Sequence, residues 1–566
     1  MRTLTVLSLL LPLIAQAGTQ YNNQDARRLE AVKSYVNNVL TEARSHSNRS
    51  PLLADGVNTI TRKPVEWIYP DKHRVTISNF ASQQNFMRTL NGLSVVTGDD
   101  KYHQAAEKTA RYFLENYSHE NGLFFWGGHR FINLDSLELE GPQNKNQVHE
   151  LKNHFPYYSF LHQVDAKATE KYIKAFWNAH LDNWKRMDMG RHGRYSKSYN
   201  DKVFQRKLSD DIVEPSKLPE LPLSKGLSFI NAGSDLIYAA YKLTELAEPK
   251  IAEGANHWAK FLLKQYELAS NPKTGAPVYQ FTSPRQRESS PPSDNDTNSK
   301  YGDRAQRQFG PEYGAIAKEG NVLFKGNANS IAISSALVKL YIAEIHQDSE
   351  ILSWAVKDLK GFYRVAYDAE RGQFKAVFND GTDIMGIPLV RDGYYGKKGR
   401  IFQAQVIDSE KYLFPLLKAY RLSGDQALWA LARNMTKHLG WGDIGEPKTK
   451  PSQLNLNLNN QDPSGIFSAL EMYKISSDQQ YLELARAIGN NILKHRFIRG
   501  YFLNHHALLN ARIDALEPLA LVALDATLKG QPQQIPEFIS EGGYIHGEYL
   551  GKSSTYDKRE IYNKKI

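Results

Sequence analysis

Apolar positions recur along most of the chain every three or four residues, the period of a helix with one buried face. Leu29, Val32, Val36, Val39 and Leu40 set this pattern and predict an amphipathic helix between Asp25 and His46. Pro51, Pro64 and Pro70 break any long helix across residues 50–80. Beyond them one unit repeats: an apolar helix, a short polar turn, and a second helix rich in Ala, Leu and aromatics. Leu90 to Tyr117 turns at Thr97-Gly98-Asp99-Asp100, and a looser copy from Asp235 to Tyr266 turns around Glu248-Pro249. Ser330 to Tyr363 turns at Gln347-Asp348-Ser349, Leu413 to Leu439 at Ser423-Gly424-Asp425, and Gly465 to His495 at Ser476-Ser477-Asp478. The same period predicts a helix from Ala168 to Met187, with Tyr172, Phe176, Ala179 and Trp184 inward, stopped at Gly190.

Helical hairpins of this kind bury a continuous core only by stacking on their neighbours. Their lengths are too irregular for an open solenoid. The long polar loops between them favour a closed ring, an α/α barrel or toroid, with inner helices around a central cleft and the loops at its mouth. No linker divides residues 18–566, so a single domain is expected. Ser283 to Gly314 is expected to be a surface excursion. Phe374 to Arg400 alternates apolar and polar residues and predicts a short β-hairpin, and Gly542 to Ile566 predicts an extended docked segment rather than a helix.

Composition adds the compartment. Met1-Arg2, an apolar run from Thr3 to Ile14 and Ala15-Gln16-Ala17 have the form of a signal peptide over residues 1–17. No later run approaches the roughly 20 apolar residues of a membrane span. The chain has no cysteine, which excludes thiolate metal sites and leaves His, Asp or Glu as ligands. An exported, disulfide-free chain fits the periplasm. The net charge of +10 draws polyanions, but the Lys and Arg residues are scattered and no nucleic-acid-binding motif is present. The 31 Tyr, 24 Phe and 8 Trp supply ring faces for sugars, so an acidic polysaccharide is the expected partner. No membrane or obligate protein partner is indicated.

Candidate chemistry is concentrated between Phe124 and Phe155, and again at Met189 to Arg194. His129 follows Trp126-Gly127-Gly128, where two glycines permit a sharp turn. His149-Glu150-Leu151-Lys152-Asn153-His154 fails as a zinc-protease motif, because its histidines stand five apart instead of four and Pro156 ends any helix. Arg191-His192 sits just past the expected helix end. In this order, Trp126 to Asn133, Val148 to Tyr158 and Arg191-His192 resemble the pectate lyases of polysaccharide lyase family 2 over essentially the whole chain after residue 17. The resemblance implies an (α/α)7 barrel, cleavage of polygalacturonate by β-elimination, and a transition metal where most pectate lyases use calcium. It implies His129, Glu150 and His192 as metal ligands and Arg191 as the base.

The chemistry agrees with that carry-over. The C5 proton of a galacturonate becomes removable when charge flowing onto its C6 carboxylate is neutralised, as a divalent Lewis acid does. Two imidazoles and a carboxylate suit manganese, or cobalt or nickel, whereas calcium takes six to eight oxygens. Guanidinium ordinarily keeps its proton, so Arg191 has an alternative role as a bidentate carboxylate clamp. The base would then be Lys152, His149 or a metal-bound hydroxide. Trp126 and Lys152 are further candidate substrate contacts, though core packing explains Trp126 equally well. Internal cleavage of short polymers is expected. Two rivals remain: an α/α-barrel glycoside hydrolase using Asp135 and Glu150, and a non-catalytic oligogalacturonide-binding protein.

Overall fold

The computed structural model describes residues 21–45, 49–69, 71–141, 148–206, 221–224, 228–285, 297–447, 449, 451, 453–539, 546–548 and 555–566. The signal-peptide expectation for residues 1–17 lies outside them. The body is built of helices α1 (Asn23–Glu42), α2 (Gln84–Thr97), α3 (Lys101–Asn116), α4 (Tyr158–Val164), α5 (Ala166–His180), α6 (Ile230–Leu246) and α7 (Pro249–Ala269). It continues through α8 (Val338–His346), α9 (Ser349–Ala366), α10 (Phe414–Ser423), α11 (Gln426–His438), α12 (Pro463–Ser476), α13 (Gln479–Arg496) and α14 (Glu517–Leu528). A π-helical stretch, Asn329–Leu337, leads directly into α8.

The even-numbered helices form an inner ring in which α4 packs on α6, α6 on α8, α8 on α10, α10 on α12, α12 on α14 and α14 back on α2, while α4 meets the first hairpin through α3. Helices α3, α5, α7, α9, α11 and α13 lie outside their partners, and α1 completes the outer layer against α13 and α14. The arrangement is a closed ring of seven helical pairs, an α/α toroid. Sequence pattern explains the two layers. An inner helix is buried all round, as in α6, where every residue from Ile230 through Leu243 is buried, Asn231, Ser234, Asp235 and Lys242 among them. An outer helix such as α9 buries one stripe: Ile351, Ala355, Leu359 and Phe362.

The recurring turn has a common geometry. The residue after an inner helix takes a left-handed backbone: Gly98 (φ 69°), Gln347 (φ 52°), Gly424 (φ 72°) and Ser477 (φ 59°). The Asp that follows Gln347, Gly424 or Ser477 accepts backbone N–H groups of the next helix through its side chain. Three pairs escape this signature. The turn between α6 and α7 is extended at Ala247 and enters α7 through Glu248-Pro249 without a side-chain cap. Helix α4 is a seven-residue segment joined to α5 through Asp165, and the pair α14–α1 joins opposite ends of the chain.

Three expectations need correction. The helix expected to reach Met187 ends at His180, and Leu181–Asn183 pairs antiparallel with Asp188–Met189. Trp184, which continues the helical period by coincidence of spacing, sits in that hairpin's turn with its ring 4.9 Å from that of Trp258. The stretch from Phe374 to Arg400 is not a self-contained hairpin. Gln373–Phe374 lies between Tyr367–Asp368 and Gln405–Val406, while Val377–Phe378 pairs with Val322–Leu323. In the tail, His546–Glu548 pairs with Thr555–Asp557 as an extended segment would, but Lys558–Tyr562 is helical. Its Ile561 packs with Val65, Tyr69, Val75 and Ile77. No helix among the described residues is long and apolar enough to cross a membrane.

Where the ring closes, α1 and α13 are joined by a buried ion pair. Arg486 donates from Nε and Nη2 to the two carboxylate oxygens of Asp25 at 3.0 and 2.9 Å, and Arg28 shares the same carboxylate. All three side chains are almost wholly buried. Removing Asp25 would take the ion pair from buried Arg28 and leave Arg486 with Glu483. Asp25→Ala is therefore expected to cost about 3–5 kcal/mol, read as a lower urea midpoint. Glu30→Ala, which breaks only the exposed pair with Lys33, should stay within about 0.5 kcal/mol of the parent.

Candidate metal centre

Each long connection leaves the C-terminus of an outer helix and enters the N-terminus of the next inner one, so these loops gather on one face of the ring. The connection before α4 carries His129 and Glu150, and the one before α6 carries Arg191 and His192. Gly127 forms a parallel bridge with Glu150, and the N–H of Gly128 donates to the Glu150 carbonyl at 2.8 Å. A Cβ on Gly127 (φ 90°) would lie 2.0 Å from that carbonyl oxygen, and one on Gly128 would lie 2.4 Å from Glu150 Oε2. The two glycines thus permit the carboxylate to reach the bend that carries His129. From the other side, Asn79 Nδ2 donates to the carbonyls of Gly127 (2.7 Å) and Arg130 (2.8 Å).

The loop bearing His192 is brought in by a ladder: Gly193 and Arg194 pair antiparallel with His149 and Val148. Three donors then converge. His129 Nε2 lies 2.9 Å from Glu150 Oε2 and 3.1 Å from His192 Nε2, and His192 Nε2 lies 3.6 Å from Glu150 Oε2. Among the described residues this is the one group of three such side chains able to close on a single ion, its donor atoms all within 4.8 Å of one another. Arg191 Nε donates to His192 Nε2 at 3.2 Å and stands 3.7 Å from Glu150 Oε1. Lys152 Nζ lies 3.9 Å from the same oxygen, at the open side.

The protonation states suit a cation. Burial alone would raise the Glu150 carboxyl, but the hydrogen bond from His129 and the charge of Arg191 hold it well below the usual range. Burial lowers His192, partly opposed by Glu150, and so favours the neutral imidazole that a metal requires.

A second pair of histidines lies behind the first. His180 Nδ1 donates to the Gly190 carbonyl (2.8 Å), and its Nε2 accepts from His149 Nδ1 (2.9 Å). His149 Nε2 in turn accepts from Trp126 Nε1 (3.2 Å) and Tyr172 Oη (3.0 Å). A carbonyl can only accept, so every proton in this chain is fixed in direction and both rings are neutral. Burial agrees, lowering His180 to about 4 and His149 well below its ordinary value. The chain ties the backbone beside Arg191 to the side chain next to Glu150. His149, fully buried with both nitrogens engaged, is not placed to act as a base.

Two further expectations change. Trp126 is fully buried, packed on Phe113, Phe124 and Tyr172, and has no ring face free for a sugar. Asp135 accepts from Ser45 Oγ (2.9 Å) and Thr76 Oγ1 (2.6 Å), so its carboxylate serves as a loop clamp. Sequence reasoning missed Asp235, Arg88 and His180. Asp235 accepts the Phe155 N–H at 2.8 Å, and Arg88 Nη2 donates to the Phe155 carbonyl at 2.8 Å. Together they hold a turn in which Asn153 (φ 64°) and Phe155 (φ 41°) adopt left-handed backbones. An acid inside the mostly apolar run of α6 was the available signal. Burial raises that acid to about 7.

The close approach at Gly127 is directly testable. Gly127→Ala combines an unfavourable φ with backbone overlap and is expected to cost about 2–5 kcal/mol. Gly424→Ala, also left-handed but with nothing within 4 Å of the new methyl, should cost about 1–2 kcal/mol. Denaturant midpoints of the two variants measure the difference.

The family model described as periplasmic pectate lyase matches residues 50–548. The pectate disaccharide-lyase of Dickeya dadantii (strain 3937) is 42% identical over 542 residues, covering 95% of this chain and 96% of that protein. Among solved structures, an α-1,6-mannanase of Salegentibacter sp. HEL1_6 aligns with TM-score 0.36 and 12% identity over 88% of this chain and 99% of that one. A sugar epimerase from a ruminal bacterium gives 0.41 and 12% over 74% and 87%. These looser likenesses add nothing about chemistry. The hydrolase and the binding protein are set aside: the chain belongs to the periplasmic pectate lyase family and is a polysaccharide lyase.

Proposed function

We propose that the protein cleaves polygalacturonate in the periplasm by β-elimination, with His129, Glu150 and His192 holding a divalent transition-metal ion and Arg191 removing the C5 proton. The observation that carries this reading is the convergence of two imidazole nitrogens and one ionised carboxylate from three loop segments, with a guanidinium beside them. The donor set, two nitrogens and one or two oxygens, fits manganese, with cobalt or nickel as substitutes, and not calcium. Bound there, the cation would neutralise charge gathering on the uronate C6 carboxylate.

The protein groups do the rest. Glu150 supplies the negative charge that retains the ion, and His180 and His149 fix the two strands that carry the donors. Arg191, about one-third exposed, faces the open side and can reach a bound sugar. As the C5–H bond breaks, its proton passes to Arg191 and its electron pair forms the C4–C5 double bond. The C4–O bond breaks, and the departing oxygen takes a proton from solvent water to become the new chain end. Lys152, about one-quarter exposed, offers a charge to a substrate carboxylate.

The unsaturated product absorbs in the near ultraviolet. Chelator treatment is expected to abolish the rise in absorbance on polygalacturonate, and manganese, but not calcium, to restore it. Full activity in stripped protein would defeat the metal reading. Arg191→Lys should lower kcat by about 10²–10⁴-fold while metal affinity, measured by calorimetry, stays within about threefold. Substantial retained turnover would assign the base elsewhere. Internal cleavage, expected from the sequence, and disaccharide release, which the name of the D. dadantii relative favours, separate by product size. Early loss of viscosity marks the first, and dimer from the earliest time points marks the second.

A further inference from the structure

The connections before α8 and α10 build a second lobe on the same face of the ring as the three-donor cluster. It has its own core, including Phe309, Tyr313, Phe378, Tyr395 and Phe402. Residues 390–401 run over the outside of this core and are held tightly. Gln308, 2% exposed, donates from Nε2 to the carbonyls of Arg391 (3.3 Å) and Gly396 (3.1 Å) and accepts the Tyr395 N–H (2.8 Å). Its own carbonyl accepts the Val390 N–H at 2.9 Å.

This clamp displays Tyr394 with 49% of its surface exposed. One ring face is occupied: the Arg304 guanidinium lies 3.7 Å from the centroid, itself fixed to Glu319 by bonds of 2.6 and 2.9 Å. The opposite face is the exposed one. Val390 and Ile401 are exposed beside it, as are Lys397, Lys398 and Arg400. Within residues 390–401 four cations stand against one acid, Asp392, which pairs with Lys397 Nζ at 3.1 Å. A half-exposed aromatic contributes little to the core, and a ring already fixed loses little freedom when a ligand lies on it.

We propose that Tyr394, with Lys397, Lys398 and Arg400, is an accessory binding surface for a stretch of polyuronate chain away from the scissile bond. A sugar's C–H face lies on the free face of the Tyr394 ring, and the cations meet the uronate carboxylates. This rests on the acidic polysaccharide as substrate and does not depend on the elimination chemistry.

Retention in native gels cast with polygalacturonate, run with chelator so that nothing is cleaved, tests it against gels cast with neutral galactan. Tyr394→Ala is expected to weaken retention about three- to tenfold, Tyr394→Phe to keep it, and Lys397→Gln/Lys398→Gln to weaken it in polygalacturonate alone. With metal restored, Tyr394→Ala should raise KM on the polymer by the same factor, with kcat and turnover of trigalacturonate unchanged. Unaltered retention of Tyr394→Ala would overturn the proposal. So would a loss shared by the trimer and matched by a lower melting temperature, which would make the ring only a cover for the Arg304–Glu319 pair. Because the gels read binding without turnover, failure of the lyase reading would leave this result separately legible.

Discussion

A carboxylate that is almost wholly shielded from water must be surrounded by groups that prefer its ionised form. Glu150 is that carboxylate, and much of the loop face is organised around it. Its strand is pressed onto Gly127-Gly128 on one side. On the other side the adjoining strand residues pair with the segment that carries His192. His129, His192, Arg191 and Lys152 all stand within 4 Å of its two oxygens. The negative charge explains why two imidazoles and two side-chain cations from separated parts of the chain can be held so close. Without it the same groups would repel one another.

The scaffold divides this work between two materials. The helical ring is dry and tightly packed, and its inner helices contribute support from their loop-facing ends: Asp235 of α6, Arg88 of α2, and Ser334, which donates to the Asn153 side chain from the π-helical stretch before α8. The loops contribute the chemistry. They are anchored by buried polar bonds to the ring, which fix direction as well as distance. The His180–His149 relay is the clearest case, since its carbonyl end leaves one possible arrangement of protons.

The helical hairpins were legible because their signature is local. A left-handed residue followed by an Asp cap recurs at the turns after α8, α10 and α12, and the apolar stripes repeat at a fixed period. The pair α14–α1 was not legible, since its members stand at opposite ends of the chain and nothing local marks them as neighbours. The end of α5 was misread because Trp184 falls one helical turn beyond His180 and mimics the stripe. At the site, His129, Glu150, Arg191 and His192 were visible as a resemblance and as a plausible donor set. Whether three loops bring such groups together is set by long-range packing, which periodicity does not encode. Trp126 shows the converse: an aromatic beside Gly-Gly can equally stack on a ligand or fill a core, and its full burial decides for the core. His180, Arg88 and Asp235 were missed because each acts through backbone groups far away in sequence.

The pairing of the first helix with the last two has a consequence for how this protein is made. Asp25 meets Arg486 across a separation of 461 residues, so the seam cannot be sealed until nearly the whole polypeptide has emerged. Hairpins α2–α3 through α12–α13 can assemble successively from near-neighbour contacts, whereas closure of the circle carries the entropic cost of joining distant segments. Until α13 and α14 dock on α1 the folding chain is an open arc with unpaired apolar ends, and α14 acts as the keystone.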